Sequence, residues 1–287
     1  NGLGRCTQLK FDPTNPTRMY CTSASGGLWL SNDTGSAWLN VGTDFFPNMQ
    51  CASICSDHTN SNVLYLGSGD PNYYGGGYGV CKSTNGGTAW SLSNTGMGNL
   101  LVVEIIMDPS NNQNLIAATD NGIYKSINAG ANWSVVKNGG DFKAMVLKPY
   151  SKDTVYAVTS SQVWRSLNFG GTWTQITSGV FVPGGNGQGM RLAVSKANPN
   201  IVYVGEVADE GTILKSTNCG TSFTTAYHNA AQSLVGYDAT TPGQGDYNFH
   251  MTCDPTNANI VYVAAHVVWK STNGGTSWVS KTSGTNV

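Results

Sequence analysis

Charge is what this sequence has least of. Asp, Glu, Lys and Arg together make up 11% of its residues and the formal net charge is −1, so there is no basic stripe to hold phosphates or an anionic membrane surface. A nucleic-acid partner is not expected. Nor is there an apolar run near the roughly 20 residues that cross a bilayer, which excludes a transmembrane helix. The opening residues, Asn1-Gly2-Leu3-Gly4-Arg5, have neither the charged nor the apolar region of a signal peptide, so the numbering is expected to begin after processing or at a cut. The seven cysteines (Cys6, Cys21, Cys51, Cys55, Cys81, Cys219 and Cys253) lack the paired spacing of a zinc site, and neither a metal nor a cofactor is expected. Cys6 and Cys21 flank one hairpin on the same face, slightly out of register, and are the first candidates for a disulfide. Gly75-Gly76-Gly77-Tyr78-Gly79 lacks the Lys and Ser/Thr of a phosphate loop. No Ser or Cys motif surrounds His58, which falls in a turn, or His266, which falls in a strand.

What is abundant is repetition. An octad of the form Ser-x-Asn/Asp-x-Gly-x-x-Trp/Phe occurs six times, starting at Ser31, Ser83, Ser126, Ser166, Ser216 and Ser271. Successive copies are 40 to 55 residues apart, a period that suits one four-stranded unit per copy. An apolar or aromatic run enters each octad and a second short run leaves it, as the two strands of a hairpin do. Between them Asp33, Asn85, Asn128, Asn168, Asn218 or Asn273 is placed to accept backbone N–H bonds, and the Gly supplies a positive φ. Trp38, Trp90, Trp133, Trp173, Phe223 or Trp278 then closes the turn with a large apolar face. Five of the six copies carry Asn rather than Asp, so the turn uses the side-chain carbonyl more than the charge.

Upstream of each octad a second hairpin recurs, turning at Asp12-Pro13, Asp108-Pro109, Asn198-Pro199 and Asp254-Pro255, with weaker counterparts near Asp57 and Lys148. Each repeat therefore reads strand, turn, strand, loop, strand, octad, strand.

The octads resemble the Asp-box, or bacterial neuraminidase repeat, of sialidases, xyloglucan-cleaving enzymes, sortilin-type receptors and exported proteins of Bacteroidota-type bacteria. The resemblance implies an all-β chain, a β-propeller of six four-stranded blades, complete or as six blades of a larger seven- or eight-bladed ring. One domain, 1–287, is expected, with blades near 4–43, 50–94, 101–138, 141–178, 188–226 and 247–282. It also implies that the octads lie on the rim and that the chain is secreted or displayed at the cell surface. Gly243-Gln244-Gly245-Asp246-Tyr247 and Val268-Trp269-Lys270-Ser271 look like the middle of longer exported proteins, so a fragment is expected.

Departures from a regular scaffold are where function concentrates. Three insertions stand out, at 67–79, 181–189 and 227–250. Aligning the innermost strands on their turns puts Gln8, Ser53, Glu104, Ala144, Arg191 and His250 in one column lining the axis. Ligand-binding candidates are Tyr73, Tyr74, Tyr78, Arg191, Tyr247 and His250, with Tyr227, Tyr237 and Phe249 as further loop aromatics. A sialidase would need an arginine triad, yet of four arginines Arg18 falls in a hairpin turn and Arg165 enters an octad. A xyloglucanase-type hydrolase would need two opposed carboxylates, for which Asp70, Glu104, Glu206 and Asp246 are the candidates. The leading expectation is a glycan- or protein-binding or assembly module, its partner an extracellular glycan or protein. The alternatives are a glycoside hydrolase and a self-assembling subunit of an extracellular filament or sheath.

Overall fold

The computed structural model describes residues 5–44, 46, 50–72, 76–180, 189–207, 211–229, 232–236 and 245–282. The fold is a six-bladed β-propeller, each blade a four-stranded antiparallel sheet whose strands pair in chain order. Blade 1 holds β1 (Cys6–Asp12), β2 (Asn15–Ser23), β3 (Gly27–Ser31) and β4 (Leu39–Asn40); blade 2 holds β5 (Cys51–Asp57), β6 (Asn60–Ser68), β7 (Val80–Ser83) and β8 (Ser91–Leu92). Blade 3 holds β9 (Val102–Asp108), β10 (Asn111–Thr119), β11 (Gly122–Ser126) and β12 (Ser134–Asn138); blade 4 holds β13 (Ala144–Leu147), β14 (Val155–Val158), β15 (Val163–Ser166) and β16 (Thr174–Ile176). Blade 5 holds β17 (Met190–Val194), β18 (Val202–Glu206), β19 (Thr212–Ser216) and β20 (Thr224–Tyr227); blade 6 holds β21 (His250–Cys253), β22 (Val261–Ala264), β23 (Val268–Ser271) and β24 (Val279–Ser280). A four-residue helix, α1 (Gly245–Asn248), stands where the sequence reads as plain loop. No helix among the described residues is long and apolar enough to cross a membrane.

The turns form for the reasons the residue types give. Asp12 accepts from the Thr14 N–H at 2.8 Å and the Thr14 hydroxyl at 2.7 Å, and Asp57–Thr59, Asp108–Ser110 and Asp254–Thr256 repeat the arrangement. Asp57 is followed by His58 rather than Pro. The turn therefore rests on an Asp and a hydroxyl residue two positions on, with proline optional.

In the octads the serine is the hub. Ser126 Oγ donates to Asn128 Oδ1 at 3.0 Å and accepts the Gly130 N–H at 2.9 Å, while Asn128 Oδ1 accepts the Asn132 N–H at 2.9 Å. The Ser31, Ser83, Ser216 and Ser271 octads close the same rings. Glycine has positive φ in every copy, between 68° and 94°. The residue before it is left-handed as well, and in four copies that residue is Thr34, Ala129, Phe169 or Cys219 instead of Gly. The closing Trp133, Phe223 and Trp278 are buried, whereas Trp38, Trp90 and Trp173 are half-buried.

The chain divides into two compact units, Asn1–Phe142 with Phe169–Gly171 and Lys143–Asn168 with Thr172–Val287. In the first, Tyr20 and Leu28 of blade 1 pack with Ile54, Leu64 and Leu66 of blade 2, and Tyr65 of blade 2 packs with Ile105, Leu115 and Trp133 of blade 3. In the second, Tyr156 of blade 4 packs with Leu192 and Val204 of blade 5, and Tyr203 of blade 5 with Met251 and Val263 of blade 6. Burying such faces is the main favourable term holding blades together. Polar joins add direction: Lys82 donates to the Ala129 carbonyl at 2.8 Å, Lys125 to that of Phe169 at 2.8 Å, and Arg165 to that of Cys219 at 2.8 Å. In each case a basic residue just before one octad serine grips the left-handed turn of another octad. Leu9 and Phe11 of blade 1 are 50% and 61% exposed, although their counterparts Ile105 and Met107 in blade 3 are buried.

Candidate functional site

The start of each innermost strand lies beside the end of its second strand: Cys6 opposes Ser23, Cys51 opposes Ser68 and Val102 opposes Thr119. Gln8, Glu104 and the segment after β6 therefore emerge at the same end of their blades. There Gln8 Nε2 donates to Glu104 Oε2 at 2.7 Å, and Gln8 Oε1 accepts the Ile54 N–H at 2.8 Å. Lys10 Nζ sits 3.2 Å from Glu104 Oε1. Burial pushes the Glu104 carboxyl above its usual range, with Lys10 and Gln8 pulling the other way. The Glu104 charge in turn holds the Lys10 ammonium above its ordinary value. Cys55, beside this pair, is pushed up to about 12 by burial, which keeps it a thiol.

Gln8 and Glu104 meet across blades 1 and 3, but Ser53 is fully buried and donates to the Val102 carbonyl at 3.0 Å, serving the join between blades 2 and 3. Its neighbour Gly67 has no room for a side chain, since a Cβ there would lie 2.2 Å from Ser53 Oγ. Asp70 is more than a loop-turn residue: it is buried, ion-paired with Arg5, and accepts the Asn72 N–H at 3.0 Å. Sequence spacing of 65 residues hid that pair. Tyr78 is half-buried, its N–H bonded to Ser68 Oγ at 2.6 Å and its carbonyl to the Asn94 amide at 2.9 Å, so its backbone anchors the loop to blade 2. Tyr73, Tyr74 and Tyr237 lie outside the described residues.

In the second unit Arg191 is half-buried and donates to the Met190 carbonyl at 3.1 Å, while Glu206, opposite Met190, is fully buried. Thr212, which pairs with Glu206, has its hydroxyl 2.9 Å from His228 Nδ1, a histidine the column reading passed over. Tyr247 and His250 are exposed, but Phe249 and Tyr227 are buried in the core between blades 5 and 6. The Asp246 side chain lies outside what is described. Two placements differ from the sequence reading: Arg18 is in β2, bonded to Asn32 Oδ1 at 3.0 Å, and His266 is in the bend between β22 and β23. Arg18 stays at the turn end of its strand, so the shortage of arginines for a carboxylate grip stands. No three His, Cys, Asp or Glu side chains among the described residues are grouped to hold a metal ion.

No family model matches the sequence, and no curated protein matches it. Solved structures do. An ancestral GH74 enzyme aligns over 93% of this chain and 36% of its own with a TM-score of 0.70 at 18% identity. The GH74 xyloglucanase from Xanthomonas campestris aligns over 98% of this chain and 55% of its own, with a TM-score of 0.62 at 15% identity. YCF48 bound to D1 peptide aligns over 97% of this chain and 82% of its own, with a TM-score of 0.59 at 14% identity. The chain thus spans between about a third and somewhat over half of the GH74 chains it resembles. At such identities the likeness is one of fold.

Proposed function

We propose that this chain is a secreted or cell-surface binding module that takes a glycan or a protein at the loop end of its blades, and that its octads are Asp-boxes. One observation carries the reading. At the loop end of blades 1 to 3 both carboxylates singled out as catalytic candidates are engaged by neighbours: Asp70 is ion-paired with Arg5, and Glu104 is shared by Gln8 and Lys10. A hydrolase needs one carboxylic acid and one free carboxylate facing each other across a substrate, whereas a binding surface gains from charges held rigid by their neighbours. YCF48 bound to D1 peptide is an example of the fold engaged with a peptide. The weak overall charge suits a neutral polymer or an uncharged peptide face more than an anion.

A second reading, glycoside hydrolysis, is favoured by the GH74 neighbours and by the elevated Glu104 carboxyl, a property of general acids. The two readings separate in one experiment: the protein is incubated with xyloglucan and with a glycan and peptide array, and both retention and new reducing ends are measured. Binding without cleavage, weakened at least tenfold in the Tyr73→Ala/Tyr74→Ala variant with its circular dichroism unchanged, is the expected result. Reducing ends that appear with the wild type and vanish in Glu104→Gln would overturn it in favour of the hydrolase.

A further inference from the structure

Cys6 and Cys21 are brought together by a defect in the β1–β2 ladder. Leu9 opposes Cys21 and Gln8 opposes Thr22, but Cys6 opposes Ser23, so Thr7 is an extra residue and the register slips there. Such a bulge turns the residue before it onto the other face of the strand. Without it Cys6 would point away from Cys21; with it the two thiols share a face as diagonal neighbours, and their sulfurs stand 2.7 Å apart. That is well inside nonbonded sulfur contact and a short movement from the roughly 2.05 Å of a covalent bond. The two partners are unequal. Cys6 is exposed, whereas Cys21 is 4% exposed, so a reagent reaches the first and not the second. The contact with Cys21 lowers the Cys6 thiol to about 7, and the same contact, with burial adding to it, raises Cys21.

We propose that Cys6 and Cys21 are a reversible disulfide site, closed by small-molecule disulfides and opened by thiols. Cys6 thiolate attacks one sulfur of a reagent such as oxidised glutathione, forming a mixed disulfide and releasing one glutathione thiolate. Cys21 then gives its proton to solvent and attacks Cys6 Sγ, forming the Cys6–Cys21 bond and expelling the second glutathione. Two protein thiols are oxidised and one glutathione disulfide is reduced to two thiols. The bond closes a loop of 14 intervening residues and fastens the bulge itself. Thr7 there donates to the Cys51 carbonyl at 2.5 Å, and the next residue is the Gln8 that reaches Glu104. The bridge therefore holds the strand from which one wall of the loop-end site is built.

The test equilibrates the folded protein in mixtures of reduced and oxidised glutathione, quenches with acid, alkylates with N-ethylmaleimide, digests with two proteases and weighs the peptides. In the oxidised mixtures the wild type should keep five alkylatable thiols of its seven, with the Cys6 and Cys21 peptides joined and lighter by two hydrogens. Dithiothreitol should restore both thiols, and the bridged form should melt several degrees above the reduced one. Cys6→Ser should keep its remaining thiols free, and Cys21→Ser should leave Cys6 as a stable glutathione adduct. Cys6→Ser alters an exposed sulfur and Cys21→Ser a buried one, so both variants are checked by circular dichroism first. Alkylation of both cysteines at every glutathione ratio, a lasting glutathione adduct on Cys6 in the wild type, or a bond from Cys6 to Cys51 would overturn the proposal.

Discussion

The octad serine gives a sharp test of what holds the rim turns. Ser126 is 1% exposed, its hydroxyl donating to Asn128 and accepting from the N–H of buried Gly130. Ser126→Ala removes one oxygen, too little to open a cavity, but leaves that buried N–H with no acceptor. An orphaned buried donor costs about 1–3 kcal/mol, and the lost bond to exposed Asn128 adds about 0.5–1 kcal/mol. A loss of about 1.5–4 kcal/mol follows, or a fall on the order of 1 M in the urea midpoint. Asn128→Asp is the control, since Asp33 fills that place in blade 1 with the same bonds; it should move stability by less than about 0.5 kcal/mol, the size of a small surface effect. Both variants and the wild type are unfolded in urea under tryptophan fluorescence, to which Trp133 at the end of the same octad contributes as one of eight tryptophans. If Ser126→Ala costs no more than Asn128→Asp, the hydroxyl is not the hub and the account of the turn fails.

The left-handed pair makes opposite demands on adjacent residues. Gly130→Ala would place a Cβ 2.9 Å from Ser93 Oγ and 3.0 Å from the Tyr65 ring at φ 82°, and should lose more than about 2 kcal/mol from conformation and crowding together. Ala129→Gly, at φ 53° with its carbonyl join to Lys82 intact, should be neutral or stabilising by up to about 1 kcal/mol; equal losses in thermal melts would refute the assignment. Glu104 gives a pH signature. Because burial holds its folded carboxyl above the unfolded value, the folded state takes up a proton first, and this residue's contribution rises as pH falls from the folded value towards about 4.3. Glu104→Gln should flatten that rise in urea midpoints measured across the window, and an unchanged profile would contradict the buried placement.

Much of this architecture was legible because its signals are local. Each octad contains its own donors, acceptors and glycine within eight residues, and each Asp turn spans three, so reading them requires no knowledge of what lies elsewhere in the chain. The mouth was legible only in part. The column set Gln8 and Glu104 in one group, and they are hydrogen-bonded, but it could not tell that Ser53 turns into a blade join, because a serine looks the same whether it faces water or a neighbour's carbonyl. Arg5 and Asp70 escaped because nothing short-range links them. The left-handed position before each glycine escaped for another reason: Thr34, Ala129, Phe169 and Cys219 share no side-chain chemistry, and what they have in common is a positive φ, with the carbonyls of Ala129, Phe169 and Cys219 each accepting a bond from a basic residue. The basic residues that meet three of those carbonyls were visible all along, as Lys82, Lys125 and Arg165 each directly before an octad serine.

Those grips make the series of blades polar, like couplings on railway wagons with a hook at one end and an eye at the other. Within blades 2 to 5 three such hooks each reach from the third strand of one sheet to the octad turn of the sheet after it. Exchanging two interior blades would keep hook facing eye at each new junction even where the apolar surfaces matched poorly. A blade inserted with its strand order reversed would present two hooks at one junction and two eyes at the other. Evolution by duplication therefore has an inbuilt sense of direction here, and a designer lengthening the array inherits it.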